Sequence, residues 1–201
     1  MFATAFKGPR ALRKRLARFV DRVCPATTEP IALMTDGAAS LLRLKNLLPA
    51  PTRFVLDYFQ VSMKVRHADQ CIGRILPYHL SPDGSVFELY DRFSYLRGYQ
   101  WSGRRAKFKE SMSRLLWLLD RVRAELPDNE RSASMAIGHL CDLDDYLNTN
   151  ESGIVNYQEW RTAGRRISGS AVEGTVNRLI GRRMCKAQHM CWSTRGAHLL
   201  L

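Results

Sequence analysis

"IALMTDGAASLLRLKNLLPAPTRFVLDYFQVSMKVRH", residues 31–67, decides the fold. Ile31 to Met34 is a short apolar run that reads as a buried strand. Asp36-Gly37 ends it, and Ala38 to Leu48 carries a helical pattern that Pro49 and Pro51 stop. The logic then repeats, with a strand over 53–56, an acid at Asp57 and a helix. Strand, helix, strand, helix implies two parallel strands, because a crossover helix separates them. The chain therefore reads as α/β.

The rest of the sequence makes that fold mostly helical. Pro9 suits a first helical turn. Leu12, Leu16, Phe19, Val20 and Val23 recur at helical spacing, so the Arg-rich start reads as a surface helix with a basic outer face rather than as a transit peptide. From Gly73 to Phe108 the periodicity is weak and the aromatics are dense: Tyr78, Phe87, Tyr90, Phe93, Tyr95, Tyr99, Trp101 and Phe108. Loops and short helices are expected there. Clear helices are expected over 110–126 and 130–150, a short one around 154–162, and a long one after Ser170.

The chain has 201 residues, enough for one domain or one with an insertion. Hydrophobic residues make up 45% and charged residues 25%, a balance that excludes a disordered chain. The net charge of +12 favours an anionic partner, most simply nucleic acid or an anionic membrane. No apolar run reaches the roughly 18 residues that span a bilayer. Cysteines stand at 24, 71, 141, 185 and 191 without a CxxC, which suggests reduced thiols in a cytosol. Cys185, His189, Cys191 and His198 match no standard zinc spacing and read as packing or surface residues.

Three acids could carry chemistry. Asp36 and Asp57 each follow an apolar strand and precede a helix, where ligand sites of parallel sheets gather. Two such carboxylates could share divalent ions such as Mg²⁺. Spacing alone equally describes helix caps, and favours them. Glu173 stands in Ser170-Ala171-Val172-Glu173, a capping-box pattern. It is the only acid between Arg161 and Leu201, against eight Lys or Arg. On a helical wheel, Val172, Val176, Ile180, Met184 and Ala187 share an apolar face, with Glu173 at its edge. Arg178, Arg182, Lys186 and His189 form a ridge on nearly the opposite side. Glu173 thus points to the core edge, where a lone charge is costly unless paired or metal-bound.

The segment "IVNYQEWRTAGRRISGSAVEGTVNRLIGRRMCKAQHMCWSTRGAHLLL" resembles the C-terminal part of bacterial insertion-sequence transposases of the Kra type, within the Mutator-like DDE group. The matching residues are Val155-Asn156-Tyr157, Ile167-Ser168, Glu173 with Asn177, Arg183-Met184, Met190, Trp192 and the tail Arg195 to Leu201. "MTDGAASLLRL" resembles the strand with the second catalytic Asp, and "VLDYFQVSMKVRH" the adjoining supporting motif. Tyr99 to Trp117 is loosely similar to the helical insertion between that Asp and the final Glu. The resemblance covers residues 10–201.

It implies an incomplete ribonuclease-H-like fold with an all-helical insertion. The implied layout is a partial core over 1–72, the insertion over 73–153 and the remaining core over 154–201. By position, Asp36 and Glu173 become metal-binding catalytic acids and Asp57 belongs to the supporting motif. The metal would be Mg²⁺ or Mn²⁺. The implied partner is double-stranded DNA, gripped by Arg178, Arg182, Arg183, Lys186 and Arg195, with self-association open and no membrane. The implied location is the bacterial cytoplasm, at the nucleoid. Two departures stand out. Only Asp21 and Glu29 precede Asp36, and neither can occupy the first strand that the pattern needs for its first Asp. Gln60 stands where the supporting motif usually has His. The expectation is a truncated transposase, inactive alone; a non-enzymatic DNA-binding protein is the competing one.

Overall fold

The computed structural model describes residues 8–23, 30–48, 51–75, 85–125, 130–170 and 174. Helix α1 spans Gly8–Val23. Strand β1, Ile31–Thr35, and strand β2, Thr52–Leu56, form a two-stranded parallel sheet. The fold is α/β and mostly helical, in keeping with the strand–helix repeat of 31–67. No described helix is long and apolar enough to cross a membrane.

The connection between the strands is tighter than its sequence suggests. Helix α2 covers only Ala39–Leu42, and the chain then winds into a 3-10 turn over Arg43–Leu47. Two causes act together. No residue of α2 is buried, so packing does not reward a longer α-helix. Pro49 then forces its predecessor out of the helical region, and Leu48 is extended at φ −85° and ψ 142°.

The chain divides into two compact units, Met1–Val55 with Ser168–Leu201, and Leu56–Ile167. The second unit is helical. It contains α3 (Tyr58–Ile75), α4 (Ser85–Trp101), α5 (Arg105–Glu125), α6 (Glu130–Thr149) and α7 (Tyr157–Thr162). Helix α3 packs on α6, α4 on α5, and α5 on α6. The spacing of buried residues explains those pairings. Val61, Val65, Ala68, Ile72 and Ile75 make one stripe of α3, and Ala133, Ala136, Leu140, Leu143 and Leu147 make one stripe of α6. Each large apolar side chain so buried contributes about 1.5–3 kcal/mol.

The sequence suggests loops and short helices between Gly73 and Phe108, and the described residues there are mostly in long helices. Helix α3 runs on to Ile75, and Ser85 to Trp101 is one continuous element. Its buried residues Leu89, Phe93, Leu96 and Gln100 do have helical spacing. Aromatics on the other faces hide it: Tyr95 is exposed, and Tyr99 stacks beside it at 6.4 Å. The α4–α5 turn is closed by Gly103 at φ 68°, a conformation that favours glycine. Around 154–162 the helix starts later than expected, at Tyr157, after a 3-10 turn over Glu151–Gly153.

Candidate functional site

Asp36 belongs to the first unit and follows β1 directly. It is exposed. Its Oδ1 accepts the Ala38 N–H at 2.9 Å and the Thr35 hydroxyl at 3.2 Å. The Thr35 hydroxyl oxygen in turn accepts the Gly37 N–H at 3.0 Å, and Gly37 takes φ 88°. The Asp-Gly pair therefore turns the chain from β1 into α2, with the carboxylate satisfying a backbone amide on the way.

Asp57 belongs to the second unit, where it is only 7% exposed. Its Oδ1 accepts the Phe59 N–H at 2.9 Å, the position of a side-chain cap on α3. Gln60 is half-buried on the first turn of that helix.

The segment after α6 returns to this point. The Tyr157 hydroxyl donates to the Leu56 carbonyl at 3.0 Å, and the Tyr58 N–H donates to the Ile167 carbonyl at 3.0 Å. Tyr157 is fully buried, with its ring 4.9 Å from that of Tyr58; Trp101 lies 4.8 Å from Tyr58. Burial pushes the Tyr157 phenol well above its ordinary range, helped by Tyr146, Asp57 and Tyr58. Burial also raises Tyr58, opposed by the charge of Arg97. Both stay protonated donors near neutral pH.

The Val155-Asn156-Tyr157 stretch thus has three separate jobs. Val155 is buried, Asn156 caps α7 by accepting the Glu159 N–H at 3.2 Å, and Tyr157 ties the segment to β2. The Tyr157 side chain therefore does more than fill space. The Asn156 cap was readable from its Asn-x-x-Glu spacing. Gly103 completes the arrangement, because a Cβ there would lie 3.1 Å from the Val155 carbonyl oxygen.

Glu173 and the basic residues Arg178, Arg182, Arg183, Lys186 and Arg195 lie outside the described residues, as do Cys185, His189, Cys191 and His198. What is described of this segment bears on its start. Ser170 is already helical, and its N–H donates to the Ser168 hydroxyl oxygen at 3.2 Å, so Ser168 supplies the local acceptor.

Asp36 and Asp57 offer the hard oxygen chemistry that suits Mg²⁺ or Mn²⁺. They belong to different units, however, and among the described residues no three His, Cys, Asp or Glu side chains form a group able to hold an ion. A cleft of about 390 Å³ does open between α3 and α4, lined by Tyr58, Ser62, Arg66, Asp69, Arg97 and Gln100. Comparison with protein-family models, with curated proteins and with solved structures finds no match for this chain.

Proposed function

We propose that this chain is part of the catalytic core of a metal-dependent DNA strand-transfer enzyme, a ribonuclease-H-like DDE transposase of an insertion sequence, and that it binds duplex DNA without cutting it alone. The observation that carries this reading is the return of the chain, within the second unit, to its own start at Leu56 and Tyr58. Helices α4 to α6 form an excursion that leaves after α3 and ends where Tyr157 and Ile167 hydrogen-bond to Leu56 and Tyr58. An excursion of helices between strand-end acids and a later Glu-bearing segment is the layout that the resemblance implies.

Asp36 and Glu173 are the carboxylates proposed to hold Mg²⁺ or Mn²⁺, the ion that would activate the attacking oxygen and steady the phosphate. Asp57 holds the start of α3. Of the acids that precede Asp36, Asp21 sits on α1, a helix, and not on a strand. One carboxylate fewer leaves the ions under-held, which is why cutting is not expected of this chain. Lys and Arg side chains, including Arg178, Arg182, Arg183, Lys186 and Arg195, neutralise the phosphate backbone.

The second reading, a DNA-binding protein without catalysis, is favoured by one observation. Both described carboxylates already accept backbone amides at the starts of helical segments. The two readings share DNA binding, and equilibrium titration of a labelled duplex tests it. Affinity should fall linearly with salt on logarithmic axes, by about 0.9 in slope per phosphate contact. Salt-independent binding, or none, removes both readings.

A further inference from the structure

We propose that the outward face of α1 is a second contact for the DNA backbone, built from Lys14, Arg15, Arg18 and Arg22; the proposal rests on the DNA-binding reading above. At about 100° per residue, these four side chains fall within one sector of roughly 100°. Lys14 and Arg18 are exposed and Arg15 is half-exposed. None of the four is ion-paired among the described residues, and Asp21 is the only acid of the helix. Arg15, Arg18 and Arg22 surround a concavity of about 330 Å³ that Phe19 also lines.

The opposite face decides the partner. Val20 is buried, Leu16 is half-buried, and α1 packs within its unit on the 3-10 turn Arg43–Leu47. On the same sector Phe19 and Val23 are exposed. A helix that binds lipid surfaces needs a continuous apolar sector for the acyl boundary, and Leu16 and Val20 are withdrawn from this one. The basic face presents a row of guanidinium groups, whose natural complement is a regular row of phosphates. Arg15, Arg18 and Arg22 rise along the axis in steps of about 4.5 and 6 Å. Long arginine arms spread over that range can reach successive phosphates, which advance about 3.4 Å per nucleotide along the duplex axis.

The test uses the whole chain and fluorescence anisotropy with a labelled duplex over a series of salt concentrations. R15Q/R18Q/R22Q should flatten the logarithmic salt slope by about 2–3, three contacts at about 0.9 each. Gln keeps the helix propensity, and circular dichroism checks that α1 persists. R15K/R18K/R22K should keep the slope within about one, since Lys neutralises a phosphate as a point charge. Removing Arg104, Lys107 and Lys109 from the second unit should change it by less than about one. An unchanged slope in the Gln variant, with binding intact, overturns this contact and leaves the DNA-binding reading standing. Failure of the unaltered chain to bind DNA overturns both. Retention by phosphatidylserine vesicles through the same arginines, at salt where the duplex is not retained, gives the face to lipid and overturns the proposal.

Discussion

Replacing Tyr157 by Phe removes one oxygen and little else. That oxygen donates to the Leu56 carbonyl at 3.0 Å, with both residues fully buried. The loss strands a buried acceptor, which costs about 1–3 kcal/mol. At about 2–4 °C per kcal/mol for a chain of this size, a loss near 2 kcal/mol lowers Tm by about 4–8 °C. The variant also has a pH signature. Burial raises the Tyr157 phenol above its ordinary pKa of 10.0, so the unfolded chain releases that proton first as pH rises. The contribution is full below about pH 10 and is lost as pH climbs towards the folded value. Tyr157→Phe abolishes that contribution and should soften the alkaline fall in stability. Tyr58 and Tyr90, also raised by burial, leave a residual slope. Thermal melts of both proteins between neutral and strongly alkaline pH check this. An unchanged Tm together with an unchanged alkaline limb refutes the tie between the 157 segment and β2.

Two further substitutions probe the same unit. Gly103→Ala and Gly164→Ala both place a Cβ at positive φ, 68° and 70°, and each should cost about 1–2 kcal/mol for the left-handed backbone. Gly103→Ala should cost more, because its Cβ meets the backbone of Val155 and Asn156 at 3.1–3.2 Å while that of Gly164 meets open space; chemical denaturation measures the difference. Asp57→Ala should lose a cap, about 0.5–2 kcal/mol, whereas Asp57→Asn keeps an acceptor oxygen and should lose much less in the same assay.

Local signals were the legible ones. The strands of 31–35 and 52–56 are short apolar runs cut off by Asp36-Gly37 and Asp57, so pattern and structure agree within a residue. The cap geometry of Asp57 follows from its place before an apolar helix. Helix α4 was hidden because Tyr95, Tyr99 and Trp101 put large apolar rings off the buried stripe. The length of α2 was hidden because Pro49 acts backward on Leu48, while no burial holds the helix. The Tyr157–Leu56 bond joins residues 101 apart in sequence. No periodicity reports a contact of that range.

The central claim is most directly tested by incubating supercoiled plasmid with the purified chain and Mn²⁺, and resolving the products on native and denaturing gels. The account predicts plasmid that is retarded at low salt and released at high salt, with every strand intact. Plasmid that runs unshifted at low salt, or that is nicked in a metal-dependent way abolished by Asp36→Ala, contradicts it.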